Sequence, residues 1–409
     1  MHYLSLVVAL LTTPVLAATW TLTEVDSSPY TGAENAIYAP DVDTVYIAYK
    51  QFLEPPSSGY TPAAVKLAQS IDGGQSWQLS IIDLDAAQSG DTLEQSVSIG
   101  GSHDTLYVAY FVQPSGLFAS HQLRVAKSSD AGATWGISTL VNGFGGAYNA
   151  IKVVDEDTVY ISYSGEGSAS GLYIAQTHDG GSTWSLQLIE PGQGNGWYSS
   201  IDAVDANTVF SSYYNGLYPD HLDLNFAGSM DALGTVSLVN VEHPSSGFVG
   251  LGSAISAVDS NTIYITYELF SGGSRVKLAA SFDGGLTWRR TFVEPDFGGV
   301  NTAVKAFASG AIYSSYWTYP PSGAKLAKSE DQGSTWTLMP IPEPGAIEIF
   351  LDLAVPQEGR AYVSYATTDR RLKLATFSER APTSVDQVAP RDSSRRDLPQ
   401  VRRRTVFAP

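Results

Sequence analysis

Cysteine is absent from all 409 residues of the chain. Disulfide bonds, thiol catalysis and cysteine-based metal sites are therefore excluded. No Asn-x-Ser/Thr acceptor site for N-glycosylation occurs either, and no stretch reaches the ~20 apolar residues that a membrane-spanning helix needs. Whatever fold the chain adopts must be stabilised by packing and by hydrogen bonds.

Basic residues are scarce, with 23 Lys and Arg against 41 Asp and Glu, which gives a net charge of −18. The last 19 residues, Arg391 to Pro409, carry six Arg against two Asp, a net charge of +4. The remainder of the chain therefore sums to −22. An acidic body argues against nucleic acid and anionic membranes as partners, because both attract basic surfaces.

The two ends of the chain differ in composition from the rest. An apolar run from Leu4 to Leu16, followed by Ala17, is typical of a secretory signal peptide, which we expect to span residues 1–17. Residues 381–409 are rich in Arg, Pro and Ser and lack periodicity, which predicts a disordered tail. We therefore expect a secreted protein, extracellular or periplasmic, that does not span a membrane and is monomeric.

A short motif of the form S/T-x-D-x-G-x-T/S-W recurs along the chain. Asp accepts hydrogen bonds from backbone N–H groups just ahead of it, and Gly tolerates positive φ, so each copy predicts a tight turn. The Trp that follows buries a large ring beside the turn. Good copies are centred on Asp72, Asp130, Asp179, Asp283 and Asp331.

A second repeat lies ahead of each motif and ends in Tyr. Its seven copies, 49 to 61 residues apart, are rich in β-branched and aromatic residues and predict strands. Together with flanking apolar segments they predict units of four antiparallel strands. Seven such units without any helical pattern predict an all-β fold, a seven-bladed β-propeller over residues 18–380. The copies end at Tyr49, Tyr110, Tyr163, Tyr213, Tyr267, Tyr316 and Tyr365.

Two irregularities refine this prediction. The fourth unit has only SMDALGTV, from Ser229 to Val236, with the Gly displaced and Val in place of Trp, which indicates a decayed turn. The seventh unit lacks a fourth strand, whereas Ala18 to Val25 reads like the tail of a motif. We therefore predict that Trp20 to Val25 pairs with Leu372 to Phe377 and closes the ring.

The motifs resemble the BNR or Asp-box repeats of the sialidase-like propeller superfamily. The resemblance covers residues 18–380 and implies a propeller, with the six-bladed sialidase type as the alternative to seven blades. It also implies that the five Asp residues of the good copies are structural and lie away from the ligand face. Calcium binding would need several carboxylates in each loop, and each motif offers one. No metal and no cofactor are expected.

Active sialidases are similar to one another in an arginine triad, and this chain departs from that pattern. Ala39 stands where the first arginine is expected, and the first Arg of the chain is Arg124, at a place where other units carry Lys. Arg275 and Arg370 fall in or beside ligand-face loops, yet two residues cannot form a triad.

The ligand face is expected where loops join one unit to the next and follow each Tyr strand. Small polar residues, fourteen positions before each Tyr, would ring the channel mouth with aromatic residues around them. That combination suits a sugar, although aromatics that only cap the packing between units remain an alternative reading. The candidate ligand-binding residues are Asn35, Tyr148, Asn149, Trp197, Tyr198, His243, Trp317, Tyr319 and Arg370.

Catalysis on a glycoside would require two carboxylates across the mouth. Carboxylates peculiar to one unit are the candidates, namely Glu94, Asp220, Glu268 and Asp352. Glu190, Glu242, Glu294 and Glu343 recur at strand ends and are expected to be scaffold. The sequence thus favours a secreted propeller that binds a glycan or another extracellular ligand. A divergent sialidase-like exo-glycosidase and a protein-docking scaffold are the alternatives.

Overall fold

The computed structural model describes residues 18–379 except 56–59, 87, 90–96, 114–120, 144, 193, 218–219, 245–246, 297 and 320–321. The expected signal peptide and tail lie outside the described residues. Strands make up almost all of the regular structure, as the repeated β-branched and aromatic segments predict.

The strands of the first half of the chain form units of four, with one extra two-stranded ribbon. They are β1 (Thr19–Asp26), β2 (Thr31–Tyr38), β3 (Val45–Phe52), β4 (Tyr60–Thr61), β5 (Ala63–Ser70), β6 (Gln78–Asp83), β7 (Gln88–Ser89), β8 (Val97–Ser102), β9 (Thr105–Val112), β10 (His121–Ser128), β11 (Gly136–Gly143), β12 (Gly145–Val153), β13 (Val159–Gly165), β14 (Gly171–Thr177) and β15 (Ser185–Pro191). A single 3₁₀ turn, Gly167–Ala169, precedes β14.

The second half continues in the same way. Its strands are β16 (Trp197–Ala203), β17 (Val209–Leu217), β18 (Asp220–Ser229), β19 (Ser237–Glu242), β20 (Phe248–Ala257), β21 (Ile263–Phe270), β22 (Ser274–Ser281), β23 (Arg289–Glu294), β24 (Gly299–Ala306), β25 (Ile312–Thr318), β26 (Gly323–Ser329), β27 (Thr337–Pro340), β28 (Ile347–Gln357), β29 (Arg360–Thr367) and β30 (Leu372–Ser378).

The described strands form an all-β propeller, but its blade count differs from the prediction. Five blades are separate four-stranded antiparallel sheets: β2-β3-β5-β6, β8 to β11, β12 to β15, β24 to β27, and the closing sheet β28-β29-β30-β1. The strands from β16 to β23 instead form one eight-stranded sheet. The prediction of seven separate blades, like its six-bladed alternative, is therefore wrong. The physical reason is that β18 and β20 are ten residues long and overlap, so that Leu222 pairs with Phe248 in parallel.

The N-terminal strand closes the ring. β1 pairs with β30 in antiparallel register, with Trp20 opposite Phe377 and Thr23 opposite Leu374. The rings of Trp20 and Phe377 lie 5.3 Å apart, which adds an aromatic contact to the backbone hydrogen bonds. The predicted pairing of the two ends of the chain is confirmed.

The core lies between successive sheets. One cluster of buried side chains joins Tyr313 and Leu326 of the β24–β27 sheet to Leu353 and Val363 of the closing sheet. Because each cluster takes residues from two neighbours, no sheet can bury its apolar face alone. The fold therefore depends on a complete ring.

Hydrogen bonds between a Tyr and a carboxylate, each of which we call a latch, also join successive sheets. A Tyr hydroxyl of one sheet donates to a carboxylate at the end of the preceding fourth strand, and in most units a Lys or Arg of the third strand pairs with the same carboxylate. The recurring glutamates thus accept scaffold hydrogen bonds. The six pairs are Tyr49–Asp26, Tyr110–Asp83, Tyr213–Glu190, Tyr267–Glu242, Tyr316–Glu294 and Tyr365–Glu343.

The repeated Asp organises its turn through a fixed set of hydrogen bonds. In the third unit, Oδ1 of Asp179 accepts from Thr177 Oγ1 at 2.8 Å and from Thr183 N at 2.9 Å, and Oδ2 accepts from Thr183 Oγ1 at 2.6 Å. These donors hold the pKa of Asp179 down to about 2. The other four Asp residues of the good motifs accept the same set of bonds.

The fourth unit retains this turn although its sequence departs from the motif. Asp231 accepts from Ser229 Oγ at 2.9 Å and from Thr235 N at 2.8 Å, so the expectation of a decayed turn is wrong. Leu233 takes the position of the usual Gly, with φ of 67°, and is only 3% exposed. The smaller Val236 replaces Trp and packs in the same cluster, which leaves room for the leucine side chain.

Asp26→Ala is expected to destabilise the fold by about 3 kcal/mol, because it leaves the Lys66 ammonium without its buried partner. Burial would raise the pKa of Asp26, but hydrogen bonds from Lys66, Tyr49 and Ser28 outweigh it and lower the pKa to about 2. The stabilisation is therefore present above about pH 4 and is lost between about pH 4 and 2. Urea unfolding at several pH values measures both effects. Glu24→Gln, at an exposed ion pair of the same strand, is the control and should cost less than about 1 kcal/mol.

Leu233→Gly tests how the fourth unit is stabilised. The substitution removes a buried side chain, which costs about 3 kcal/mol, and relieves a left-handed backbone, which returns about 1 kcal/mol. We expect a net loss of about 2 kcal/mol in thermal or urea unfolding. A variant as stable as the wild type would show that the leucine contributes nothing beyond the turn.

Candidate functional site

The channel mouth lies at the edge of the sheets opposite the Asp turns. The innermost strands, β2, β8, β12, β16, β20, β24 and β28, begin at this edge, and each second strand ends there because the pairs are antiparallel. The Asp turns connect third to fourth strands at the other edge. Loops at the mouth vary from unit to unit, as binding loops on a rigid scaffold commonly do.

The predicted polar ring is present, but its side chains are buried and make hydrogen bonds within the protein. Asn149 Oδ1 accepts from Ser98 Oγ at 2.8 Å, and its Nδ2 donates to Gly146 O at 3.1 Å. Asn35 likewise donates to Gly32 O and accepts from Ser364. The bonds with Ser98 and Ser364 join neighbouring strands, and the bonds to Gly146 O and Gly32 O lie within one strand, so both asparagine side chains already have partners within the protein. The described ring members are Asn35, Asn149, Ser199, Ser253, Thr302 and the apolar exception Leu351, each less than a tenth exposed; Ser96 lies outside the described residues.

The residue before several ring members adopts a left-handed backbone. Its carbonyl accepts a hydrogen bond from the ring hydroxyl of the next innermost strand: Ser199 donates to Tyr148 O at 2.9 Å and Ser253 donates to Tyr198 O at 3.1 Å. Gly252 and Asn301, residue types that tolerate this conformation, occupy the equivalent positions farther along. Tyr148 and Tyr198 adopt it with φ of 52° each.

Three aromatic side chains from two adjacent innermost strands come together at the mouth. The ring of Tyr148 lies 4.6 Å from that of Tyr198 and 6.0 Å from that of Trp197, measured between centroids. Trp197 is 36% exposed, and both tyrosines are half-buried. Tyr214 is buried nearby, and burial together with the phenol of Tyr198 raises its pKa. We call Tyr148, Trp197 and Tyr198 the aromatic shelf.

Two further aromatic pairs flank the mouth. Trp317 and Tyr319 stack at 5.6 Å with an interplanar angle of 10°, and Trp317 Nε1 donates to Ile347 O at 2.7 Å. Phe248 and Phe270 stack at 4.6 Å and 6°. Sequence reasoning missed Phe270 as a partner for Phe248, because only the register of β20 with β21 places the two residues opposite each other.

The predicted charged residues of the mouth have partners within the protein. Arg370 Nε lies 3.6 Å from Glu348, and His243 Nδ1 lies 2.8 Å from Asp223. Burial raises the pKa of Glu348, and Arg370 opposes that rise. Sequence reasoning missed a buried pair, Lys50 with Glu34 at 3.2 Å. Its signal in the sequence is a Lys directly after Tyr49, the Tyr that ends the first copy of the second repeat.

The carboxylate candidates are placed apart in the site. Asp352 lies in the channel wall, where Oδ2 accepts from Ile37 N at 2.9 Å and Oδ1 from Leu353 N at 2.8 Å. Burial raises the pKa of Asp352 to about 6 despite these bonds. Glu268 is 6% exposed and accepts a hydrogen bond from Ser274. Glu94 and the side chain of Asp220 lie outside the described residues.

A polar cavity of ≈ 150 Å³ occupies the upper channel at the level of the polar ring, whose members Asn149, Ser199, Ser253 and Thr302 help to line it. Ser98, Ser199, Ser200, Ser253 and Asp352 supply its polar wall. Its size suits a few water molecules, so a larger ligand would lie on the mouth. Within the described part of the chain, no cluster of three His, Asp or Glu residues suits a metal ion, and no helix could span a membrane.

Solved structures of other proteins share this fold. No protein-family model and no curated protein matches the chain. A family PL25 polysaccharide lyase, an ulvan lyase, matches with a TM-score of 0.60 and 12% identity over 88% of this chain and 96% of its own. A protein of unknown function from Dyadobacter fermentans matches with a TM-score of 0.58 and 12% identity over 90% and 100%. An α-L-arabinanase from Penicillium chrysogenum matches with a TM-score of 0.51 and 16% identity over 70% and 93%. At these identities the likeness shows the fold alone.

Glu268→Gln should change how stability depends on pH. Burial raises the pKa of Glu268 from 4.5 to about 7, and the hydroxyl of Ser274 opposes this rise only in part. Because the folded protein binds this proton more tightly, Glu268 favours folding below about pH 4.5 and loses that contribution as pH rises to about 7. The loss is at most about 3 kcal/mol. Urea unfolding between these pH values should show that the free energy of unfolding falls less with rising pH in the variant than in the wild type. The same fall in both proteins would contradict a raised pKa at Glu268.

Proposed function

We propose that this protein binds a carbohydrate chain across its channel mouth, with the aromatic shelf as the central platform. The observation that carries the proposal is the placement of Tyr148 and Tyr198 in left-handed backbone, each at a cost of about 1 kcal/mol or more. At the equivalent positions of two other units, Gly252 and Asn301 adopt the same left-handed backbone, which these residue types tolerate more easily. Two adjacent tyrosines beside an exposed Trp197 therefore indicate a surface kept for binding.

The chemistry of the mouth supports a sugar as the ligand. The apolar face of a sugar ring packs on an aromatic side chain, while its hydroxyls take hydrogen bonds from polar groups at the edge. The Trp317–Tyr319 and Phe248–Phe270 pairs would serve as further platforms for an extended chain. The fold is shared with a lyase that acts on ulvan and with an arabinanase, and both act on polysaccharides.

Binding without catalysis fits the mouth better than glycoside hydrolysis. Both oxygens of Asp352 accept backbone hydrogen bonds, and Glu268 is almost fully buried. Arg370 is paired with Glu348, so within the described residues it is not free to act as one of the arginines that sialidases use. We place the protein outside the cell, in keeping with the signal peptide predicted from its sequence.

Trp197→Ala is expected to weaken polysaccharide binding by about tenfold or more, which corresponds to about 1.4 kcal/mol. Affinity can be measured by calorimetry on ligands selected from a panel that includes ulvan and arabinan. Phe282→Ala is the matched control, because Phe282 is exposed to a similar degree, 46%, but lies at a turn on the opposite face. Equal losses in the two variants, or no polysaccharide bound by the wild type, would overturn the proposal.

The same panel separates the alternatives. Release of reducing ends or of unsaturated products would show an enzyme, and loss of that turnover in Asp352→Asn would place catalysis in the channel. A partner protein that binds wild type and Trp197→Ala equally would favour a docking scaffold.

A further inference from the structure

Four cationic side chains at or near the channel mouth each lie beside a carboxylate of the protein. A pair formed by Lys or Arg has no net charge, and a pair formed by His is neutral or negative, depending on whether the imidazole is protonated. None of the four pairs therefore leaves a positive charge for a ligand. The pairs are Lys50–Glu34, His121–Glu166, His243–Asp223 and Arg370–Glu348, at 3.2, 2.7, 2.8 and 3.6 Å.

This charge balance is unfavourable for an acidic polysaccharide. The chain before the last 19 residues has a net charge of −22, and Asp352 adds a carboxyl group to the channel wall. A polysaccharide that carries carboxylate or sulfate groups would approach a negative protein and would lose water from its charges without gaining a cation. An uncharged chain meets neither cost.

Glu348 occupies a position at which five other units carry glycine. The position lies three residues before the polar ring, where a Cβ added at Gly146 would come 2.8 Å from Leu123 Cβ of the preceding unit. In the sixth unit, Ala324 stands in the place of that leucine, so a longer side chain fits opposite it in the seventh. The five glycines are Gly32, Gly146, Gly196, Gly250 and Gly299.

The pairing partner of Glu348 is held at the rim of the mouth. The backbone N of Arg370 donates to Thr367 O at 2.7 Å, and its carbonyl accepts from Thr31 N at 3.0 Å. The Arg370 side chain is 32% exposed, whereas that of Glu348 is 20% exposed. A guanidinium that faces the ligand side is thus neutralised by a less accessible carboxylate, which the packing of the other units does not require.

We infer that Glu348 makes the mouth selective for uncharged over acidic polysaccharides. It neutralises Arg370, whose guanidinium would otherwise bind a carboxylate or sulfate group of the ligand. Selectivity of this kind comes from rejection of the wrong ligand as well as from contacts with the right one. The inference rests on the proposed function, because it names the ligand class of the same surface.

The test compares three probes by calorimetry: arabinan, the same arabinan with a low degree of carboxymethylation, and polygalacturonate. The first two share a backbone and differ in charge. We expect the wild type to bind arabinan more tightly than either acidic probe. A wild type that binds an acidic probe as tightly as arabinan would overturn the inference and leave the proposed function in place. A wild type that binds no polysaccharide would contradict the proposed function, and the inference with it.

Glu348→Gln removes the charge of the side chain and keeps its shape. The affinity for carboxymethylated arabinan relative to arabinan should rise about tenfold or more, because Arg370 can then form a charge-assisted hydrogen bond with the ligand. The rise should shrink with added salt and disappear in the double variant Glu348→Gln/Arg370→Gln. Glu348→Asp keeps the charge and should keep the preference of the wild type. Damage to the fold would not produce a gain in affinity.

Glu330→Gln is the matched control. Glu330 is 77% exposed and lies 2.7 Å from Lys328 Nζ at the Asp-turn end of its sheet, so this variant removes one negative charge far from the mouth. Its relative affinity for the two arabinans should equal that of the wild type. No rise in Glu348→Gln, or the same rise in both variants, would contradict the role of Glu348.

Discussion

Ring closure by β1 and β30 is the constraint on which the rest of this structure depends. Each apolar cluster is shared by neighbouring sheets, so an open ring would expose two apolar faces and leave two strand edges unpaired. Closure here joins the two ends of the described chain by backbone hydrogen bonds, without a disulfide. The latch of Asp26, Tyr49 and Lys66 then fixes the closing sheet to its neighbour.

Left-handed backbone occurs on both faces of the propeller, in the Asp turns and at the channel mouth, and it has a different role on each. In the Asp turns it is adopted by glycines and by a few other residues, among them Leu233 in the fourth unit. A Cβ at Gly333 would lie 2.0 Å from Leu278 Cδ2, so that position excludes a side chain. At the mouth, Tyr148 and Tyr198 adopt it with large side chains. Where glycine is required, the conformation serves packing. Where tyrosine occupies it beside an exposed tryptophan, it presents aromatic surface.

The sequence predicts only part of the site. The positions of Tyr148, Trp197 and Tyr198 follow from the repeat, because each stands just before the polar ring residue of its unit. Their convergence into one shelf, and the engagement of Asn35 and Asn149 by neighbouring strands, depend on side-chain directions that spacing does not reveal.

By itself the sequence determined the strands, the Asp turns and the pairing of the N-terminal strand with the last one. These features are local or periodic, and a period of hydrophobic and turn residues suffices to specify them. Only the tertiary structure decided that β18 and β20 meet, so that the strands from β16 to β23 form one sheet and not separate blades. It also decided that Leu233 replaces a glycine without loss of the turn. Both outcomes depend on the space between neighbouring sheets, which distant parts of the chain fill together.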